Sequence, residues 1–292
     1  MKITVRKIRN YIKHLYNIVI TPLYERYFSH YSDNKCTLNT SERPFHLVVS
    51  LTSYPARFST LHLVLKSIFA QSVKPDAIVL YLDDYVDDSI IPESVMNLTG
   101  HGLIIRKVPG LLKCHTKYFY ALQEYSNSLV VTVDDDLMYR KNTLKKLITT
   151  YYRFPEAIPA LRVHNMILSK NNTIEKYNNW HLEYRRQKIP GLNLCATGVG
   201  GVLYPPHILP PESFDINHIK ACCYKADDIW LKFMELKAGI PVVWAPCFHV
   251  HPVEIAAWRD TGLNLTNVNK NANDGYIEEM QKFTGIQLKD YC

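Results

Sequence analysis

The densest acidic motif in the chain is Asp134-Asp135-Asp136, placed directly behind the apolar run 129–133 (LVVTV). Three adjoining carboxylates at the end of a buried strand repel one another, and their pKa values rise unless a cation neutralises them. A hard divalent ion, Mg2+ or Mn2+, held by one or two carboxylates together with phosphate oxygens, relieves that repulsion. The competing reading is a solvated acidic turn or a helix start, where Asp is favoured. The apolar run immediately before the triplet favours the metal. Two further acidic pairs stand out. Asp83-Asp84 closes the run 77–82 (AIVLYL), and Asp227-Asp228 opens a helical pattern with Ile229, Trp230 and Phe233 behind it. The second pair has its own plain alternative, a helix N-cap.

The elements that must position these groups alternate. Strands are predicted at 46–52, 77–82, 103–108, 129–133 and 241–245. Helices are predicted from Phe58, Leu61, Val64, Leu65, Ile68 and Phe69 on one face, and over 115–125, 142–152 and 226–238. Near-continuous apolar strands separated by helices imply an α/β fold, a mostly parallel central sheet covered on both faces. In such sheets the ligand lies beyond the carboxyl ends of the strands. Three polar sets fall there: Thr52 to Arg57, Asp83-Asp84, and Asp134 to Asp136. The stretch 197–204 is rich in small residues, and glycine there permits positive φ and a close approach of backbone to ligand. A tight core turn is the alternative.

Val131-Thr132-Val133-Asp134-Asp135-Asp136 resembles the DxD-bearing strand end of GT-A-fold glycosyltransferases, enzymes that use nucleotide-sugar donors. Other segments resemble a bacterial, family-2-like group that assembles surface polysaccharides such as capsule and lipopolysaccharide. They are Val49-Ser50-Leu51-Thr52-Ser53-Tyr54-Pro55-Ala56-Arg57-Phe58, Gln71-Ser72-Val73-Lys74-Pro75-Asp76, Thr197-Gly198-Val199-Gly200-Gly201-Val202-Leu203-Tyr204-Pro205-Pro206, and Ala226-Asp227-Asp228-Ile229-Trp230. A lone DxD is weak, but these motifs stand in the family order across roughly residues 46–245.

The resemblance implies a GT-A-like fold and a set of roles. Thr52, Tyr54 and Arg57 would face the base and diphosphate of the donor, Asp83 the base, and Lys117 the nucleotide. Asp134 and Asp135 would reach the ribose, with Asp134 shared with the metal and Asp136 on the Mn2+ or Mg2+ ion. Gly200 and Gly201 would lie beneath the donor sugar. Asp228 would act as general base beside an acceptor-orienting Asp227, which implies inversion. His249 or His251 would add to the metal shell, although an H-x-H pair on a strand points to opposite faces. Trp180, His181 and Tyr184 could stack on sugar rings or simply pack.

Composition bounds the partners. The chain has 292 residues, 47% hydrophobic, and a formal net charge of +7. Disorder and collagen are excluded. Residues 1–27 hold six basic side chains (Lys2, Arg6, Lys7, Arg9, Lys13, Arg26) against Glu25, so they carry +5 and the rest of the chain +2. A broad nucleic-acid-binding face is therefore disfavoured. Val5, Ile8, Ile12, Leu15, Tyr16, Val19 and Leu23 recur at helical spacing beside the basic stripe, with Pro22 expected to break or kink the helix. That pattern suits an amphipathic helix on an anionic membrane surface, or an ordinary helix packed on its own domain. Residues 28–44 read as a linker to a single domain over 45–292, with a donor-binding half (45–165) and an acceptor half (166–292).

Seven cysteines show no C-x-x-C pair, no run of about 18 apolar residues occurs, and the N-terminal segment lacks a signal-peptide core. Reduced thiols and a cytoplasmic, peripheral location on the inner membrane face are expected. The activity implied is transfer of a hexose from a nucleotide sugar, a UDP-sugar first, to a lipid-linked glycan or polysaccharide. The rivals are a sugar-phosphate nucleotidyltransferase, disfavoured by Ser53-Tyr54-Pro55-Ala56-Arg57 where a Gly-rich basic loop would stand, and an inactive membrane-docked scaffold.

Overall fold

The structure is a computed structural model describing residues 18–110, 112–246, 252–258 and 272–292. Helix α1 covers residues 18–29. The chain then alternates through β1 (Leu47–Thr52), α2 (Phe58–Phe69), β2 (Ala77–Asp83), the single turn α3 (Glu93–Met96), β3 (Leu103–Val108), α4 (Thr116–Glu124) and β4 (Leu129–Thr132). The remaining elements are β5 (Leu137–Met138), α5 (Thr143–Arg153), β6 (Ile158–Ala160), β7 (Val163–Asn165), β8 (Leu194–Ala196), β9 (Val202–Tyr204), α6 (Ile216–Cys222), α7 (Asp227–Lys237), β10 (Val242–Trp244), β11 (Val253–Glu254) and α8 (Ala272–Thr284).

Among the described residues seven strands form the main sheet in the order β10-β6-β9-β4-β1-β2-β3. All neighbours are parallel except β9, which runs antiparallel to both β4 and β6. This is the mostly parallel α/β sheet expected. Strand alternation divides β1 between two layers. Leu47, Val49 and Leu51 pack with Phe58, Leu61, Leu65 and Ile68 of α2, while Val48 lies with Val79, Tyr81, Val130 and Ala121 of α4 on the other face. Both faces are dry, which is why these strands read as unbroken apolar runs. A third cluster gathers β6, β8, β9 and β10 around Trp230, Phe233 and Met234 of α7.

Two expectations change at the N-terminal end. The described part of the first helix runs on through Pro22 to residue 29, so no break falls there. The stretch 28–44 is irregular, as its composition implies, but it is a packed strap rather than a free linker. Phe28 and Cys36 are buried in the same cluster as α2. The Arg43 guanidinium bonds Asp76, whose carboxylate also accepts from Asn39 Nδ2 (2.7 Å) and the Leu47 N–H (2.6 Å). Asp76 is the last residue of the segment Gln71 to Asp76 singled out above, and it fastens the strap to the start of β1.

Candidate active site

The carboxyl ends of β1 and β4 lie side by side, and the Val133 N–H still donates to Ser50 O (3.0 Å). The acidic triplet therefore leaves the sheet at the carboxyl edge of its parallel strands. Asp134 is fixed by its own N–H, which donates to the hydroxyl of buried Tyr139 (2.8 Å). Lys117, in the first turn of α4, is buried and reaches across the cleft. Its ammonium lies 2.7 Å from Asp134 Oδ1 and 3.1 Å from Asp227 Oδ2. Two acidic motifs 93 positions apart thus share one cation. Ala226 is the N-cap of α7 and no side chain caps that helix, so Asp227 and Asp228 are not its caps. Asp228 Oδ1 instead accepts the Gly198 N–H (3.0 Å).

A second cation closes the other side. The Arg57 guanidinium pairs with Asp135 and, at 3.0 Å, with Asp136, between the rings of Tyr54 (5.4 Å) and Trp258 (6.0 Å). The cleft accordingly gathers Asp134, Asp135, Asp136, Asp227 and Asp228 against Lys117 and Arg57. The imbalance shows in the protonation equilibria. Burial, then the proximity of Asp134, pushes Asp136 up to about 7. Burial, then Asp227, does the same to Asp228, also up to about 7. Burial raises Asp135. Asp227 is the exception, since Lys117 and His115 outweigh its burial and hold it below the ordinary carboxylate range.

The donor set is suited to a hard divalent ion. Asp135 Oδ2 is buried without a hydrogen-bond partner, and the cleft carries more carboxylates than cations. Among the described residues no three His, Cys, Asp or Glu side chains converge on one point. A site of that kind suits an ion that takes one or two carboxylates and completes its shell with phosphate and water.

Of the residues singled out in the sequence, Arg57, Lys117, Asp134, Asp135, Asp136, Asp227 and Asp228 come together. Tyr54 borders the cleft, nearly half exposed. Thr52 turns its hydroxyl to Tyr81 O (3.0 Å) on the neighbouring strand. Asp83 stands at the same sheet edge but at the end of β2, with β1 between it and β4, beside Gly110 and Tyr85. Trp180 belongs to the core, its indole donating to Glu175 O (2.8 Å). His181 stacks on Tyr184. His249 and His251 lie outside the described residues.

Gly200 and Gly201 pack on their own chain. A Cβ on Gly200 would lie 3.0 Å from Arg162 N, and Gly201 needs φ +93°. The glycine that faces the charges is Gly198, whose absent Cβ would sit 3.0 Å from Lys117 Nζ and 3.4 Å from Asp134 Oδ1. Sequence reasoning also missed Tyr139 and Trp258, because neither lies in a periodic or motif-like context. Gly200→Ala should cost about 1–3 kcal/mol in urea denaturation, because backbone of residues 161–162 cannot swing aside. A loss under about 0.5 kcal/mol would mean that the loop has slack.

Fold and site together define an α/β protein with a cation-bridged acidic cleft at the carboxyl edge of its sheet. The chain is similar to a mannosyltransferase from Pyrobaculum calidifontis, solved in complex with GDP-Man and Mn2+, at 13% identity over 91% of this chain and 72% of that one, with a TM-score of 0.48. It is also similar to an apo UDP-glucose pyrophosphorylase (10% identity, 82% and 98% covered, TM-score 0.42) and a 4-diphosphocytidyl-2C-methyl-D-erythritol synthase (12%, 70% and 91%, TM-score 0.44). No protein-family model and no curated protein matches the chain.

Proposed function

We propose that this chain is a metal-dependent glycosyltransferase, moving a hexose from a nucleotide sugar, in the first instance a UDP-sugar, to a lipid-linked or polysaccharide acceptor of surface-polysaccharide assembly. The observation that carries the reading is the Lys117 ammonium shared by Asp134 and Asp227. It draws a metal-type motif and a base-type pair into one cleft. Asp134 and Asp136 would hold Mn2+ or Mg2+ with the donor's phosphate oxygens, and the ion would offset charge on the departing diphosphate. Asp228, poised near neutrality and oriented by the Gly198 N–H, would take the proton of the acceptor hydroxyl as that oxygen attacks the anomeric carbon. The bond from that carbon to the diphosphate oxygen breaks, with inversion. Lys117 helps keep Asp227 ionised and ties it to Asp134, and Arg57 holds Asp135 and Asp136 in place.

The test is a screen of nucleotide sugars with Mn2+ by thermal shift and by donor hydrolysis. One donor should raise the melting temperature in a saturable manner, since a ligand that binds only the native state stabilises it by mass action. Asp136→Ala should remove both the shift and the hydrolysis while the protein stays folded. Pyrophosphate release from a nucleoside triphosphate and a sugar phosphate would instead make the protein a nucleotidyltransferase. No stabilisation by any donor would leave a scaffold.

A further inference from the structure

Helix α1 meets the body along one face only. Thr21 Oγ1 donates to Glu254 O (3.2 Å), Glu25 Oε1 accepts the Ala256 N–H (2.8 Å), and the Tyr24 hydroxyl accepts from Arg140 (3.2 Å). The other side carries Ile18, Val19, Leu23 and Tyr27, each more than half exposed. Val19, Leu23 and Tyr27 stand one above another at i, i+4 spacing, so they form a continuous apolar stripe. At the end of the helix the stripe opens into a cleft of about 380 Å³ lined by Arg26, Tyr27, His30, Tyr31 and Lys35. Arg26 and Lys35 have no ion pair among the described residues. The two carboxylates nearest in sequence are engaged elsewhere: Asp33 with Lys66 Nζ (2.8 Å) and Glu25 with Ala256. His30 Nδ1 bonds the Arg26 carbonyl (2.8 Å), which holds its ring across the helix end.

Two unneutralised cations between aromatic walls, continuous with an exposed apolar stripe, complement one kind of surface: an anionic phosphate headgroup with acyl chain beside it. We propose that α1 seats the protein on an anionic lipid surface. The stripe lies at the acyl boundary, and Arg26 and Lys35 hold the phosphate of a lipid headgroup. The contact thus extends beyond residues 1–27, and it stands whether or not the chain transfers sugar. It also fixes the site relative to the surface. The segment gripping α1 passes directly to Ile255, whose N–H donates to Asp136 O (3.1 Å).

The test is co-sedimentation of the full chain with vesicles of phosphatidylcholine alone or mixed with phosphatidylglycerol, beside a donor-hydrolysis assay in solution. The protein should bind the mixed vesicles and not the neutral ones. Each near-surface cation is worth about 1 kcal/mol, roughly fivefold in partitioning. Arg26→Gln with Lys35→Gln should therefore weaken binding about thirtyfold, and Leu23→Ser should weaken it independently, with solution hydrolysis unchanged in both. All three side chains are exposed, so folding is not at stake. Vesicle binding unchanged in the double variant overturns the proposal. So does stabilisation by inorganic phosphate alone without vesicle binding, which would make the cleft a free-anion site. Self-association lost in Leu23→Ser, again without vesicle binding, would assign the stripe to a second copy. Hydrolysis can fail while vesicle binding persists, so this proposal and the glycosyltransferase reading fail separately.

Discussion

An Asp228→Asn protein should lose glycosyl transfer by about 10²–10⁴-fold while it still binds donor and metal, because removing a positioned general base costs that much. It should also be more stable than the parent at alkaline pH. In the native protein burial and Asp227 raise Asp228 from 3.8 to about 7, so the folded state favours the protonated form. A carboxyl raised in this way adds stability below its unfolded pKa and loses it as pH climbs through about 7. That rise corresponds to about 4 kcal/mol at most, and the shared field of Asp227 makes roughly 2 kcal/mol the working figure. Urea denaturation at pH 8 should show that gain for the Asn variant and little of it at pH 5. The activity of the parent should rise with pH through a midpoint near 7 as the base ionises. Unchanged transfer in the Asn variant would remove Asp228 as base. Lost transfer without the stability gain would show that the buried charge is better compensated than the geometry indicates.

Lys117→Met should be the most damaging single replacement in the cleft. The ammonium is buried and offsets Asp134 and Asp227 at once. Breaking a buried pair by deleting one partner costs about 3–5 kcal/mol, because an uncompensated charge stays behind. Against a typical total of about 5–15 kcal/mol, that loss should show as a large fall in the urea midpoint or as poor folding. The sign with pH follows from Asp227, which Lys117 helps hold below the ordinary carboxylate range. Without the lysine its pKa rises, so the variant should lose least at acidic pH, where the carboxyls can protonate, and most above neutrality. Adding Asp134→Asn to Lys117→Met should recover part of the loss. A destabilisation below about 1 kcal/mol would mean that water reaches the pair and screens it.

The parallel half of the sheet was legible because both of its faces are dry. β1, β2 and β4 read as apolar runs, and their acidic or polar ends mark the carboxyl edge where the acidic cleft forms. Strand β3, at the sheet edge, fell where expected from its apolar start Leu103-Ile104-Ile105, although Arg106 and Lys107 are exposed. Strands β6 and β9 were not legible. Each has three residues, too few to display a period, and Pro159 stands in the middle of β6. The antiparallel placement of β9 between β4 and β6 is a tertiary choice with no local signature. The site divides in the same way. The triplet and Asp227-Asp228 announce themselves by charge density, whereas the service of Lys117 to both depends on α4 crossing between them. Glycine composition pointed at 197–204, but only the backbone distinguishes Gly198, beside the charges, from Gly200, wedged on residues 161–162.

Lys117 and Arg57 also say how such a cleft would be loaded. In the protein alone their positive groups already stand among the carboxylates, at 2.7 and 3.1 Å for Lys117 and 3.0 Å for Arg57 on Asp136. An arriving ion would find its oxygen ligands held in position rather than flung apart by repulsion. Asp134 and Asp136 would hold the ion, and Lys117 and Arg57, already beside them, would meet the negative charge of the phosphates bound with it.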